Sequence, residues 1–355
     1  MTDFKFVKNE NPKQKSDENS LGFGQVFTDH MFVADYDKDQ GWHDGRIVPF
    51  GPISLTPAAA VFHYGSEVFE GLKAYRTAEG NVQLFRPIEN VKRINVSCER
   101  VGLPQLDEDF ALEAIKKLIE IEKDWVPHSN GTSLYIRPFV FAADQSLGVH
   151  GIQKAMFVII TSPVGSYYKE GLNPVSIMIE TEDVRAVKGG TGYTKCGGNY
   201  AAAVRAGEKA NQKGYSQVLW LDGVHRKYIE EVGAMNVMFK INGEIITPML
   251  SGSILSGITR KSIIEFMASE GVKVNERLIS VDELTEAAEN GTLEEAWGCG
   301  TAAVVSPIGR LGINGKDYII NNGEIGETTQ HIYNELTDLQ WGRSEDKFGW
   351  IVPIK

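Results

Sequence analysis

The sequence predicts a protein of the α/β class, with mixed α+β architecture and two domains. Its 355 residues are enough to bury two substantial cores. Strand-like runs are interspersed with helical patterns in both halves, and no internal repeat is found. The stretch 163–174 is rich in glycine and proline and lacks apolar periodicity, which is typical of an interdomain linker.

Four segments are predicted along the chain. Residues 1–20 are polar and interrupted by proline, which predicts a mobile N-terminal arm. A small N-terminal α/β domain follows over 21–165. A linker over 166–180 then leads to a larger C-terminal domain over 181–355.

In the first half, capping residues and prolines mark the helix starts, and apolar periodicity marks helix length. The predicted helices begin at Thr56-Pro57 and cover 86–101, which Gly102 closes, and about 107–125. The predicted strands cover 25–35, 68–76, 81–85, 134–142 and 155–161.

In the second half, Asn242-Gly243 is the strongest short hairpin signal. Three helices are predicted. The first has Asn199 as its N-cap and runs to Lys213, the second starts near Thr259, and the third starts at the capping box Ser280-x-x-Glu283. The predicted strands cover 217–221, 236–241 and 244–247.

Composition excludes several classes of function. The formal net charge is −11, and no basic cluster offers a surface for nucleic acid or anionic membranes. The N-terminus lacks the apolar core of a signal peptide, and no run is apolar enough to span a membrane. Three scattered cysteines, Cys98, Cys196 and Cys299, suit a reducing cytoplasm and form no C-x-x-C pair. The histidines show no H-E-x-x-H spacing, so no metal site is predicted.

Lys195 lies in the segment 189–200 (GGTGYTKCGGNY), which contains five glycines. A lysine ordinarily stays on a solvated surface, so one interpretation is a flexible loop with a surface lysine. The bare backbone instead favours close approach of another molecule. The helix predicted after Asn199 places Lys195 in a positive potential, which favours the neutral amine that Schiff-base chemistry requires. The segment alone leaves both interpretations open.

Three other segments suit an anionic or ring-containing ligand. Glu231 is either a solvated acid at a strand end or a carboxylate that pairs with a cofactor's ring nitrogen. The stretch 251–260 (SGSILSGITR) leads into a helix N-terminus, which can bind phosphate through backbone N–H groups. It lacks the spacing of a nucleotide-binding P-loop. The stretch 298–303 (GCGTAA) is either a tight turn or a second anion site.

Taken in order, KCGGNY (195–200), EVGAMN (231–236) and LSGITR (255–260) closely resemble the class IV aminotransferases, the fold type IV enzymes that use pyridoxal phosphate. Within that class, further segments resemble a branched-chain amino-acid aminotransferase: FTDHM (27–31), HYGSEVFEGLKAY (63–75), LFRP (84–87), SLYIRP (133–138) and QVLWL (217–221). The resemblance implies a two-domain fold like that of D-amino-acid aminotransferase, with the active site between the domains.

The resemblance also implies the cofactor contacts. Lys195 would link covalently to pyridoxal phosphate and move a proton between the substrate Cα and the cofactor C4′. The other implied contacts are Glu231 with the pyridine nitrogen, Tyr200 with the phenolic oxygen, and Arg93, Thr301 and the backbone N–H groups of Ile258 and Thr259 with the phosphate. A guanidinium and a helix N-terminus both suit a phosphate dianion. Without the resemblance, Arg93 would be interpreted as a solvated charge, and Arg86 and Arg100 are the competing arginines nearby.

Substrate contacts are implied in the same way. The expected apolar wall consists of Tyr64, Phe69 and Tyr167, with Tyr135 and Arg137 close by; the backbone of Thr301-Ala302 would bind the substrate α-carboxylate. Core packing is the alternative interpretation of the three aromatic residues. Arg137 is the candidate that would bind the side-chain carboxylate of glutamate.

The predicted function is a cytoplasmic, homodimeric branched-chain L-amino-acid transaminase. It would transfer the amino group of leucine, isoleucine or valine to 2-oxoglutarate, reversibly and by a ping-pong route. The alternatives are a D-amino-acid transaminase or an aminodeoxychorismate lyase of the same fold, and a phosphate-ligand-binding protein without catalysis. A Cys196 nucleophile is a further alternative, although the motif contains no histidine partner.

Overall fold

The computed structural model describes residues 4–165 and 172–355, and contacts divide them into two compact units. The first unit contains residues 4–165, Thr194–Gly197 and Asp338–Lys355. The second contains residues 172–193 and Gly198–Thr337. Each unit has its own sheet with helices, which confirms the predicted mixed α/β class. Tyr167 and part of the predicted linker 166–180 lie outside the described residues.

The elements are numbered in chain order. The strands are β1 (Lys5–Phe6), β2 (His30–Asp37), β3 (Gly41–Pro49), β4 (Glu67–Phe69), β5 (Leu72–Arg76), β6 (Val82–Phe85), β7 (Ser133–Ala142), β8 (Lys154–Val164), β9 (Val175–Ile179), β10 (Gln217–Leu221), β11 (Ile229–Val232), β12 (Asn236–Ile241), β13 (Glu244–Pro248), β14 (Val274–Arg277), β15 (Leu293–Gly300), β16 (Val304–Ile313), β17 (Lys316–Ile319) and β18 (Ile351–Ile354). The helices are α1 (Ala60–Tyr64), α2 (Pro87–Val101), α3 (Glu108–Ile121), α4 (Gly197–Gln212), α5 (Ile258–Ser269), α6 (Val281–Glu289) and α7 (Glu327–Gln340).

The first sheet has the strand order β1-β3-β2-β8-β7-β5-β6-β18, and β4 pairs with β7. The apolar face of α2 and that of α3 pack against one side of this sheet, where they form the first core. Asp107 caps α3 by accepting a hydrogen bond from the N–H of Phe110, and Gly102 ends α2 with a φ of 72°. The helices predicted over 86–101 and about 107–125 are therefore confirmed, although α3 ends at Ile121.

A break in pairing along β7 shapes the region near Lys195. Strands β4 and β5 pair with the same strand, but Pro138 of β7 has no N–H to donate. Its carbonyl accepts a hydrogen bond from the N–H of Glu70 at 2.7 Å. At Gly71, a Cβ would lie 2.0 Å from the Tyr135 hydroxyl oxygen. The predicted single strand over 68–76 is thus divided in two, with Glu70 fully buried at the division.

The second sheet has the order β11-β10-β9-β16-β15-β12-β13-β14, and β17 pairs with β16. The hairpin β12–β13 turns at Asn242 and Gly243, which have φ values of 51° and 76°, as the sequence predicts. Helix α4 packs Ala206 and Ala210 against Trp220 of β10. Ser280 caps α6 by accepting a hydrogen bond from the N–H of Glu283, which confirms this part of the capping-box prediction.

The described part of the N-terminal arm differs from the predicted mobile segment 1–20. Strand β1 pairs in parallel with β3, and the N–H of Asn9 donates to Nε2 of His30 at 2.9 Å. The Glu18 carboxylate accepts a hydrogen bond from the N–H of Ser129 at 2.6 Å. Polar composition predicts mobility only where the chain has no partners, and residues of the first unit supply partners here.

Two further differences have long-range causes. Strand β18 pairs with β6, which places Asp338–Lys355 in the first unit, whereas the sequence assigned all of 181–355 to the C-terminal domain. Helix α1 begins at Ala60 and not at Thr56-Pro57, because Ala59 is held in a β-bridge to Gln145. Neither pairing has a local sequence signal.

Within residues 4–165 and 172–355, no helix is long and apolar enough to cross a membrane. The same residues contain no group of three or more histidine, cysteine, aspartate or glutamate side chains that could hold a metal ion.

The cap of α6 gives a first prediction. Replacing Ser280 with Ala removes the acceptor for the Glu283 N–H, so the free energy of unfolding should fall by about 1 kcal/mol. Urea denaturation followed by tryptophan fluorescence measures the change. The control Glu286→Ala alters an exposed side chain of the same helix and should change stability far less. Equal effects of the two variants would contradict the assigned cap.

Candidate functional site

The segment around Lys195 is fixed by its backbone. The Lys195 carbonyl accepts a hydrogen bond from the N–H of Phe69 at 2.9 Å, and the Lys195 N–H donates to Oγ of Ser97 at 3.0 Å. Cys196 forms a β-bridge with Val68 of β4. The segment therefore lies along the edge of β4, two residues before α4 begins. This arrangement contradicts the interpretation of a flexible loop with a surface lysine.

Predicted substrate residues of the first unit lie around the Phe69 ring. The Lys195 Nζ lies 4.7 Å from the ring centroid, and the Arg137 guanidinium carbon lies 4.5 Å from it. Arg137 also donates a hydrogen bond to the Tyr135 hydroxyl at 2.9 Å. An amine, a guanidinium and an apolar ring are thus brought together.

Arg93 of α2 lies against the carboxylate of Glu70, for which the sequence predicts no role. Its Nε and Nη2 donate to the two oxygens of Glu70 at 2.7 and 2.9 Å, and Asn90 donates to the same carboxylate at 2.8 Å. Burial alone would raise the pKa of Glu70. The charge and hydrogen bonds of Arg93, together with the Lys195 charge, hold that pKa below its ordinary value. An ionised Glu70 therefore orients Arg93 and contributes negative potential near Lys195.

Glu231 in the second unit is held by two groups. Its Oε1 accepts a hydrogen bond from the N–H of Leu255 at 2.8 Å, and its Oε2 lies 3.3 Å from Nε of Arg185. Arg185 also donates to the carbonyl of Ser253. The buried carboxylate is therefore fixed in orientation, with a guanidinium beside it. This arrangement differs from a solvated acid at a strand end.

Glu230, the neighbouring acid, is buried with less support. Its Oε1 accepts a hydrogen bond from the hydroxyl of Ser253, while its Oε2 has no hydrogen-bond partner within the part of the chain that the structure describes. Burial raises the pKa of Glu230, against the smaller lowering effects of the Ser253 hydrogen bond and the Arg185 charge. Glu230 and Glu231 of β11 thus both contact the loop before α5. Glu231 lies beside a guanidinium, whereas Glu230 accepts its hydrogen bond from a hydroxyl.

The start of α5 has the geometry of an anion site. Gly257 is its N-cap and supplies no side-chain hydrogen bond to the first turn, which begins with Ile258 and Thr259. A Cβ on Gly257 would lie 1.8 Å from Oδ1 of Asn236, whose Nδ2 donates to the carbonyl of Leu255 at 2.9 Å. Only glycine fits this position, and the first-turn N–H groups suit a phosphate.

Thr301 and Ala302 lie in the turn between β15 and β16. Val304, which follows this turn, has a φ of 63°, a left-handed conformation that a β-branched residue rarely adopts. Backbone strain of this kind is concentrated at functional sites. The turn is therefore a fixed feature of the second sheet, in agreement with the expectation of a tight turn.

Asn199 differs from its predicted role as the N-cap of α4. The helix begins at Gly197, so Asn199 lies within its first turn. The Asn199 side chain accepts a hydrogen bond from the Thr191 hydroxyl at 2.8 Å and donates to the Thr191 carbonyl at 2.9 Å. It therefore fixes the glycine-rich segment that precedes Lys195. Tyr200 follows it in α4 and is half-buried.

Some predicted residues are not brought into these groups by any contact among the described residues. Tyr64 is exposed, and its hydroxyl donates to the Leu147 carbonyl. Tyr167 lies outside the described residues. Cys196 is buried in the first core, which shields its thiol from a substrate and argues against the nucleophile alternative. Glu70, Ser97 and Arg185 were missed, because only their partners, far away in sequence, distinguish them from other polar residues.

Comparisons with known proteins agree with one another. The family model described as amino-transferase class IV matches residues 67–311. The branched-chain-amino-acid transaminase 1 of Bacillus subtilis (strain 168) is 55% identical over 343 residues, which cover 96% of both chains.

Two solved structures show the same fold. The branched-chain amino acid aminotransferase of Escherichia coli has a TM-score of 0.77 and 27% identity, and the match covers 92% of this chain and 99% of the other. The branched-chain aminotransferase of Thermoproteus uzoniensis, solved with norvaline, has a TM-score of 0.75 and 26% identity, with 92% and 100% covered.

Glu230 gives a prediction about pH. The pKa of Glu230 in the folded protein is raised above the ordinary value of 4.5. At pH values between the two, the folded protein keeps a proton on this carboxyl that the unfolded chain has lost. The contribution of the Glu230 carboxyl to the free energy of unfolding is fully present below the ordinary pKa and is lost as pH rises through the raised pKa. Glu230→Gln cannot lose a proton, so its Tm relative to the wild type should increase from about pH 5 to about pH 8.

Calorimetric Tm measurements at several pH values test this prediction. The control Glu208→Gln alters an exposed acid of α4 and should give a Tm difference that is nearly independent of pH. A constant difference for Glu230→Gln as well would contradict the assigned pKa shift.

Proposed function

The chain belongs to the class IV aminotransferase family, and we propose that it is a branched-chain amino-acid transaminase that transfers the amino group of leucine, isoleucine or valine to 2-oxoglutarate. The observation that carries this proposal is the grouping of the Lys195 amine, the Phe69 ring and the Arg137 guanidinium in the first unit. The amine suits carbonyl chemistry, the ring suits an apolar side chain, and the guanidinium suits a carboxylate.

Enzymes of this family use pyridoxal phosphate, and the donor groups of this chain fit it. When bound, pyridoxal phosphate supplies a carbonyl that joins an amine and a ring that accepts electron density from the substrate Cα. By the family resemblance, Glu231 would pair with the ring nitrogen and favour its protonated form. The first-turn N–H groups of Ile258 and Thr259 would bind the phosphate, and the family resemblance adds Arg93 and Thr301 to this role. The uncapped start of α5 supports this assignment.

Lys195 has two roles in the proposal. By the family resemblance, its Nζ would hold the cofactor covalently, and as a free amine it would hold and move a proton at the substrate Cα. The hydrogen bonds of the Lys195 N–H and carbonyl fix the backbone that carries this amine. By the family resemblance, Tyr200 would donate a hydrogen bond to the phenolic oxygen of the ring.

Two kinds of substrate must use one pocket in a ping-pong reaction. The Phe69 ring would bind the apolar side chain. The family resemblance alone adds Tyr64 and Tyr167 to this wall and assigns the α-carboxylate to the backbone of Thr301-Ala302. Arg137 binds the side-chain carboxylate of glutamate or 2-oxoglutarate, with Tyr135 as its hydrogen-bond partner. The position of Arg137 on the Phe69 ring supports this assignment, because a flat guanidinium stacks on a ring and still presents its edge to a carboxylate.

The branched-chain proposal is favoured over the D-amino-acid transaminase and aminodeoxychorismate lyase of the same fold. The relatives named above are branched-chain enzymes, and the similarity extends over almost the entire chain. We further propose that the enzyme is a cytoplasmic homodimer.

The central test replaces Lys195 with Ala. Transamination of L-leucine by 2-oxoglutarate should fall by about a thousandfold or more, because the amine that moves the proton is lost. Lys188→Ala removes an exposed lysine of the same region and should keep activity. A fully active Lys195→Ala enzyme would contradict the proposal, and a wild type that uses D-alanine but not L-leucine would favour the D-amino-acid alternative.

A further inference from the structure

Glu67 lies on the same face of the first sheet as Phe69 and Arg137. In the antiparallel pair, Phe69 of β4 lies opposite Phe139 of β7, and Glu67 lies opposite Phe141. Alternate residues of a strand share a face, so Arg137, two residues before Phe139, lies on this face as well. Glu67 and Arg137 thus flank the Phe69 ring from neighbouring strands.

Arg137 has few polar partners. It donates to the Tyr135 hydroxyl, its Nε is buried without a hydrogen-bond partner, and no carboxylate of residues 4–165 or 172–355 lies within ion-pair distance of it. The guanidinium therefore keeps capacity for another carboxylate. Its positive charge nevertheless reaches Glu67, since it acts on the pKa of that carboxyl.

Glu67 is itself held in place. Its Oε1 accepts a hydrogen bond from the N–H of Gly197 at 2.5 Å, and a Cβ on Gly197 would lie 1.9 Å from the same oxygen. Burial raises the pKa of Glu67, against the smaller lowering effects of the Gly197 hydrogen bond and the Arg137 charge. The carboxylate is therefore half-buried, fixed by the lysine segment and within electrostatic range of Arg137.

We propose that Glu67 sets the balance between acidic and apolar substrates by partly compensating the positive charge of Arg137. This inference rests on the proposed function of Arg137 as the group that binds the glutamate side chain. A substrate carboxylate experiences the sum of the two charges, so Glu67 weakens its binding. A leucine side chain carries no charge, and the compensation lowers the cost of burying it beside a guanidinium. Glu67 is thus a specificity-determining residue for the reaction.

Glu67 has a competing, purely structural role as the acceptor for Gly197 in the segment of Lys195. The substitution Glu67→Gln separates the two roles. A glutamine keeps an acceptor oxygen for the Gly197 N–H but removes the charge. Glu67→Asp does the reverse, because it keeps the charge but shortens the reach toward Gly197.

The experiment measures kcat/KM for L-leucine and for L-glutamate in the wild type and the variants. We expect Glu67→Gln to raise the ratio of glutamate to leucine by about tenfold. Glu67→Asp should stay within about twofold of the wild-type ratio, even where both rates fall. An unchanged ratio in Glu67→Gln, or equal shifts in the two variants, would overturn the inference in favour of anchoring alone.

Arg137→Met separates this inference from the proposed function. If Arg137 binds the glutamate side chain, this variant loses glutamate turnover selectively, and in its background Glu67→Gln no longer changes the ratio. Should Arg137→Met affect both substrates equally, the proposed role of Arg137 fails. A selective Arg137→Met effect with an unchanged ratio in Glu67→Gln would overturn only the inference about Glu67.

Discussion

The attachment of the Lys195 segment to β4 is the interaction on which the rest of the site depends. Two backbone hydrogen bonds on Lys195 and a β-bridge at Cys196 join the segment to the first unit, although its neighbours in sequence belong to the second. Because β4 pairs in turn with β7, the lysine is positioned by a central strand of the first sheet. A flexible lysine becomes an oriented amine with no metal or disulfide contributing among the described residues.

The same attachment arranges charge around the amine. Glu70 is buried where Pro138 interrupts the pairing of β7, and it orients Arg93 while it attracts Lys195. Glu67, on the other side of Phe69, lies within range of Arg137. The carboxylates of Glu67 in β4 and Glu70 just after it thus face cations that other elements supply, and each charge is offset by an opposite charge nearby. This compensation gives a physical reason why one surface can accept both an apolar and an acidic substrate.

Local signals in the sequence predicted the features that depend on neighbouring residues. The helix closed by Gly102, the Asn242-Gly243 turn and the Ser280 cap follow from backbone preferences. The glycine-rich segment around Lys195, together with the other segments that resemble class IV aminotransferases, indicated the family. Long-range partners could not be predicted: nothing near Arg93 indicates Glu70, and nothing near Glu231 indicates Arg185. The prediction of Asn199 as the N-cap of α4 was wrong, because the helix begins at Gly197 and the Asn199 side chain forms hydrogen bonds with Thr191.

The most direct test of the account is to identify the lysine that carries the cofactor. Borohydride reduction of the holoenzyme, followed by proteolysis and mass spectrometry, should place the reduced pyridoxal phosphate on the peptide that contains Lys195. The yellow colour of the lysine-linked cofactor should disappear as borohydride reduces the link. An active enzyme with the adduct on another lysine, such as the buried Lys73, or with no covalent adduct at all, would contradict the account.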